Sequence, residues 1–425
     1  MSARAPQPPP DLRALGATLT LLAALLAALP ARAQSDDALH GRLEVQDAIQ
    51  TFGPDSLQAA NGAGVANDAL GNLRLIWQPA WGSWSFQFQY LVSAEDGPDV
   101  ALERIEARVI SPPPPTLFDL TDTFESRGDL VASQSIDRLA IGYATPDWVV
   151  RVGRQALTWG SGLVFRPMDL FDPFSPTATD TEYKPGVDMV YVQRLFADGS
   201  DLQLILAPRP DRLAGPPSAN ASSLAAHFQT TILGRQTTLL VARDHGDWVT
   251  ALSVNGSLGG STWNLEVVPT ALRAGGVRVS GVANISDAVT LFGRNATVFG
   301  EYFRNGFGVA AGPLDFASLP PALIDRLARG QVFSLRRDYL AGGLTLEATP
   351  LLNISPTLIV DLDDGSVAPL LAAVYSLGDN LSLVGGLQAP TGRPRTEFGG
   401  VPLSAQSPEL LEPPQQLYLQ LRRYF

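Results

Sequence analysis

Chemistry is densest between positions 158 and 186. Trp159-Gly160-Ser161-Gly162 is followed by Arg166-Pro167-Met168-Asp169-Leu170-Phe171-Asp172-Pro173-Phe174-Ser175-Pro176, and then by Glu182-Tyr183-Lys184-Pro185-Gly186. So many prolines and glycines fix a loop rather than a strand. Within it Arg166, Asp169, Asp172, Asp180, Glu182 and Lys184 set opposed charges close together. Folded into a passage, such charges focus a field on whatever crosses it; packed on a rim, they only order an external loop. Both readings stand at this point. A second, basic group is Arg138, Arg151 and Arg154. Arg138 alternates with Leu139, Ile141 and Tyr143, whereas Arg151 and Arg154 share a face only if Gly153 marks a bulge. Facing inward, the three would complete a transverse field beside the acidic loop; at a rim they would snorkel.

Covalent chemistry finds less support. The histidines are His40, His227 and His245. Asp244 and His245 are adjacent, so in a strand they point to opposite faces, and Asp361 with Asp363 is the acidic pair of matching parity. These are what a barrel-embedded hydrolase would have to use. No G-x-S-x-G elbow, HExxH helix, P-loop or dinucleotide fingerprint occurs. Cysteine is absent, which excludes thiol nucleophiles, disulfides and zinc ribbons. Neither a cofactor nor a metal site is expected. Thirty Lys and Arg against 42 Asp and Glu give a net charge of -12, the wrong sign for a nucleic-acid partner.

The amino-terminal segment indicates where the chain goes. Arg4 and Arg13 precede an apolar run from Ala14 to Leu29, and Ala31-Arg32-Ala33 is an A-x-A cleavage site. The expectation is a signal peptide, 1–33, removed on export. Its loss takes three arginines and one aspartate, leaving 392 residues with a net charge of -14.

The elements that must position the loop are read from period two. Trp84, Phe86, Phe88, Tyr90 and Val92 alternate with Ser85, Gln87 and Gln89, and Trp263, Leu265 and Val267 with Thr262, Asn264 and Glu266. Alternation fits a soluble sandwich or a membrane barrel. Segments of about nine to eleven residues favour the barrel, because that length spans a bilayer at a tilt. So does the contrast between tight connectors, such as Thr145-Pro146-Asp147, and long ones. Strands are predicted near 41–51, 69–78, 84–93, 135–145, 147–158, 187–196, 201–208, 222–230, 235–243, 247–256, 261–269, 275–284, 296–305, 337–349, 352–362, 366–376, 380–389 and 415–425. That makes eighteen, with sixteen as the alternative count. A further segment, 101–110, is assigned with Pro112 to Pro115 to a loop, 94–134. Loops 94–134, 158–186, 306–336 and 389–414 then share one side, external or folded into the lumen. Within 306–336, Leu323, Ile324 and Leu327 on one helical face, with Asp325 and Arg326 opposite, predict a short packing lid. Pro356 predicts a bulge or a strand end.

Leu417, Leu419, Leu421, Arg423 and Phe425 alternate up to the last residue. This resembles the C-terminal assembly signal of Gram-negative outer-membrane proteins, in which a final strand ending in Phe is read by the barrel assembly machinery. It departs from the fuller pattern in lacking an internal glycine and in carrying Arg423. The 158–186 block resembles porin-like outer-membrane proteins, including those grouped with alginate exporters. The resemblance implies an all-β, transmembrane antiparallel barrel in contact with outer-membrane lipids, a porin-like channel or exporter component passing a hydrophilic solute through a water-filled lumen. An inner-membrane exporter and a homo-oligomer are the further partners it implies. The alternatives are the hydrolase and a non-conducting structural barrel.

Overall fold

The computed structural model describes residues 39–98, 100, 116–211 and 215–425. The signal segment 1–33, the 101–110 segment and the Pro112 to Pro115 run lie outside the described residues. Eighteen antiparallel strands form the wall: β1 (His40–Thr51), β2 (Val65–Trp77), β3 (Trp84–Asp96), β4 (Leu130–Ala144), β5 (Trp148–Gln155), β6 (Val187–Leu195), β7 (Asp201–Ala207), β8 (Ser223–Ile232), β9 (Arg235–Asp244), β10 (Asp247–Leu258), β11 (Ser261–Ala271), β12 (Val277–Leu291), β13 (Arg294–Arg304), β14 (Asp338–Thr349), β15 (Leu352–Asp361), β16 (Val367–Gly378), β17 (Leu381–Gln388) and β18 (Gln415–Tyr424). Each predicted strand has its counterpart here. Neighbours in sequence pair, and β18 lies between β17 and β1, with Gln420 opposite both Val384 and Gln46. The sheet has no open edge, which is what lets strands stand in lipid.

Two environments account for the alternation. Along β9, Leu239 and Val241 are 46% and 50% exposed while Leu240 and Ala242 are 1%. The exposed set forms the apolar outer wall, and the alternate set points inward. Among the described residues, no helix is long and apolar enough to cross a membrane.

The two rims differ. On the rim that carries the ends of β1 and β18, Leu233–Gly234, 259–260, Phe292–Gly293, 350–351 and 379–380 are two-residue turns. Leu233 and Gly234 have φ of 52° and 72°, and Phe292 and Gly293 have 53° and 74°. Two successive positive φ values make the I′ turn, whose twist matches that of the strands. The opposite rim carries 52–64, 97–129, 156–186, 305–337 and 389–414.

Three local expectations change. The predicted loop 94–134 is largely strand at its ends: β3 runs to Asp96, β4 starts at Leu130, and Thr121–Arg127 pairs with Leu130–Ser135, continuing the sheet past the rim. Pro356 neither ends β15 nor bulges it. Its missing N–H leaves a gap in the ladder with β14, but the pairs Gly343–Thr357 and Leu346–Ile354 on either side keep one register. Helix α1 (Pro321–Ala328) forms as predicted, yet Arg326 is buried beside Leu323 while Ile324 is exposed. Residues three apart share a helix face. Arg326 is drawn inward because Asp244 and Asp247, at the top of β9 and β10, meet it at 3.2 and 2.7 Å.

Candidate functional site

Segment 156–186 leaves the top of β5 and does not stay on the rim. The Trp159 indole Nε1 donates to Gln203 on β7 at 2.9 Å, and its ring stacks on His227 of β8, centroids 4.9 Å apart. Gly160 follows with φ of 90°, and a Cβ there would stand 3.2 Å from both Glu266 carboxylate oxygens. Glycine thus permits both the turn and the close approach. Ser161 N donates to Glu266 of β11, Asn255 of β10 to the Ser161 hydroxyl, and Asn284 of β12 to its carbonyl. The amides of Leu163, Val164 and Phe165 converge on the Glu301 carboxylate of β13 at 2.6, 3.0 and 2.8 Å. Glu266 and Glu301 are 0% and 1% exposed. Irregular backbone away from water needs such acceptors, and a buried carboxylate needs such donors. Beyond them Met168, Leu170 and Phe171 pack with Ile205, Leu240 and Val249 in one hydrophobic core, while Phe165 stacks on Phe303 at 4.4 Å.

The second half is held by polar contacts. Gln388 at the end of β17 donates to Thr177 O at 2.8 Å. Arg42 of β1 meets Asp180 at 2.5 Å and Glu182 at 2.8 Å. Arg422 approaches both acids at 3.5 and 3.9 Å, and Tyr424 donates to Glu182. The Tyr183 ring lies beneath the guanidinium groups of Arg42 and Arg74, at 4.9 and 4.6 Å. Lys184 then doubles back to the first half, donating to Asp169 at 2.6 and 2.8 Å and to Leu157 O. The segment therefore touches the inner side of β7–β13, β17, β18, β1 and β2 before rejoining the wall at β6. Between its first half and β7–β10 lies a polar cavity of about 270 Å³, lined among others by Gln203, His227, Gln229 and Thr238.

The sequence-predicted site residues fall into different settings. Asp169 and Lys184 form a closed, buried pair, in which burial pushes the Asp169 carboxyl up to about 6 against the pull of Lys184. Burial likewise raises Asp172, which sits at φ of 51° in the field of Arg209, Lys184, Arg154 and Arg138. Asp180 goes the other way: burial would raise it, but the Arg42 hydrogen bond and charge hold it below the ordinary range. Arg166 is half-buried and donates to Gly162 O. Arg138 donates to the carbonyls of Asp137 and Lys184, and Arg151 lies over the Tyr191 ring at 4.5 Å. The ladder runs through Gly153 without a slip, pairing Arg151 with Tyr191 and Arg154 with Asp188. Arg154 clamps the Asp188 carboxylate at 2.9 and 2.8 Å under the backbone of Phe118. In the last strand Leu417 and Leu419 face outward, and Phe425 exchanges backbone hydrogen bonds with Gly41.

Four of the residues named for the hydrolase have structural partners. His227 is stacked on Trp159, Asp244 is held by Ser223 and Arg326, and Asp361 and Asp363 accept backbone amides. Among the described residues no three His, Asp or Glu are grouped to hold a metal. Sequence reasoning missed Glu301, Arg42, Arg422, Asn284 and Gln388 as anchors. The available signals were an acid inside an apolar strand, Gly300-Glu301-Tyr302, and the alternation of Arg42 and Glu44 with Leu43 and Val45.

No protein-family model matches the chain, and no curated protein does. Solved structures do match. OccAB2 of Acinetobacter baumannii superposes with a TM-score of 0.51 at 8% identity, over 92% of this chain and 98% of that one. A BenF-like porin from Pseudomonas fluorescens Pf-5 gives 0.50 at 12% identity, over 91% and 98%. At these identities the likeness is one of fold: the chain is an eighteen-stranded antiparallel β-barrel similar in fold to these two structures.

Proposed function

We propose that the chain is a porin-type channel of the Gram-negative outer membrane, passing a hydrophilic solute without covalent chemistry through a lumen narrowed by segment 156–186. One observation carries this reading: the segment is bonded to inward side chains on both sides of the wall, from Glu266 and Glu301 across to Arg42. A solute in the lumen must pass it. Asp180 and Glu182, the part-exposed acids facing Arg42 and Arg422, are assigned the field at the passage, with Arg166, Asp172 and Arg151 as further contributors. The closed pairs Asp169–Lys184 and Arg154–Asp188 are assigned to holding the loop and its rim in shape. The polar cavity beside Gln203 and Gln229 supports water inside the barrel. In this reading β18 is what the assembly machinery recognises, and association into a homo-oligomer follows by analogy of fold.

The test is single-channel conductance and ion selectivity of the purified, refolded barrel in a planar bilayer, repeated with Asp180→Asn/Glu182→Gln. Steady conductance with a selectivity shifted toward anions in the variant is expected. A folded barrel that leaves the bilayer silent would overturn the channel reading, in favour of an exporter component awaiting an inner-membrane partner, or of a hydrolytic or structural barrel.

A further inference from the structure

Above the inner faces of β14–β16, where α1, the 389–414 loop and segment 156–186 meet, a cavity of about 480 Å³ remains. Its size lies within the range of small-molecule sites, roughly 300–1,000 Å³. Its walls are aromatic, unlike those of the polar cavity beside β7–β10. Four phenylalanines, Phe165, Phe316, Phe333 and Phe398, line it with Ile324 and Leu327. The acidic group at its edge is Glu397. Glu397 Oε2 accepts from the amides of Leu335 and Arg336, both at 3.0 Å, and from the Tyr339 hydroxyl; Oε1 receives none of these bonds. The neighbouring cation, Arg336, spends its guanidinium on Asp364 at 3.1 Å and on Gly312 O at 2.6 Å. Asp364 adds negative charge nearby, so the edge of the cavity is acidic while its walls are aromatic.

We propose that this cavity is a binding site for an organic cation with an aromatic or polycyclic body, the rings held among the phenylalanines and an ammonium hydrogen-bonded to Glu397 Oε1. An apolar body gains from leaving water, and aromatic faces attract a cation further. A carboxylate bonded on one oxygen only is the complement of an ammonium and repels an anion of the same shape. Burial has pushed the Glu397 carboxyl up to about 7, and an ammonium against it supplies the charge that burial withholds. The site is independent of conduction, because it needs only the outer loops in place.

Equilibrium dialysis of the full barrel in lipid nanodiscs, against empty nanodiscs, tests it with three probes of one shape: 1-naphthylmethylamine, 1-naphthalenemethanol and 1-naphthoate. Retention in the order amine, alcohol, naphthoate is expected, with the amine about tenfold ahead of the alcohol. Glu397→Gln should bring the amine down to the alcohol. Because Glu397 also holds two loop amides, Ala328→Trp is the second arm: it fills the cavity without touching those bonds and should abolish retention of both. Equal retention of amine and naphthoate would overturn the ligand class. Undiminished retention in the Ala328→Trp barrel would overturn the site.

Discussion

The two ends of segment 156–186 are fixed by different physics. From Trp159 to Phe171 the chain is packed into apolar wall and capped by fully buried carboxylates. From Thr177 to Tyr183 it rests on the Gln388 amide, the Tyr424 hydroxyl, the stacking of Tyr183 on two guanidinium groups, and ion pairs in which Arg42 is 3% exposed but Asp180 and Glu182 are 25% and 32%. A side chain in a core is held by every neighbour at once, whereas an ion pair open to water is weakened by screening and by competing solvent. The first end is thus the fixed root of the loop, and the second is the part that a solute, salt or acid can move.

The largest break in that comparison is predicted at the root. Phe171→Ala removes a ring that is 1% exposed, and such deletions cost about 3–5 kcal/mol. Amide exchange across 159–171 should rise by two orders of magnitude or more, since each 1.4 kcal/mol is about tenfold. Unchanged exchange would mean that the core does not hold the root. Glu301→Gln should follow at about 2–3 kcal/mol, because three amides would be left to share one carbonyl oxygen. Its effect should appear at Leu163, Val164 and Phe165 before it appears elsewhere.

At the other end Glu182→Gln should cost at most about 1 kcal/mol, as part-exposed pairs do. It should also fade with ionic strength, since the screening length falls from about 10 Å at 0.1 M to about 3 Å at 1 M salt. Current fluctuations of the variant and the native barrel should differ at 0.1 M and converge at 1 M. A difference that survives 1 M salt would place this end on the same footing as the root.

The wall was legible in the sequence because one physical rule, apolar outside and polar inside at period two, recurs along much of the chain. The loop's existence was legible from its prolines, glycines and charges. Its path was not, since the partners lie far away in the chain: Glu301 stands 136 residues beyond the Phe165 amide it accepts, and Arg42 is 138 before Asp180. One clue lay in strands that are apolar on both faces near their outer ends, Leu204-Ile205-Leu206-Ala207 and Leu239-Leu240-Val241-Ala242. Inward apolar rows need something apolar to cover them, and Met168, Leu170 and Phe171 are that cover. Arg326 misled for a related reason: a charge is expected to face water until its buried partners, Asp244 and Asp247, are known.

The smallest predicted effect is a difference of sign. At the root, burial holds the Asp169 carboxyl up to about 6, above its unfolded value of about 3.9, so the seated loop binds this proton more tightly than the free chain does. Its contribution is present at low pH and lost as pH rises toward and through 6. At the far end burial opposes, but the hydrogen bond and charge of Arg42 prevail and depress Asp180. That contribution is complete above about pH 4 and is lost as pH falls through the depressed value. Acidifying from pH 7 to 5 should therefore tighten 162–171 and leave 177–183 unchanged, while acidifying further, below pH 4, should loosen 177–183 alone. Exchange rates corrected for their intrinsic pH dependence read both ends in one sample, and Asp169→Asn should flatten the first response without touching the second. If both ends moved together with pH, the loop would be one rigid body and the division between root and movable end would fail.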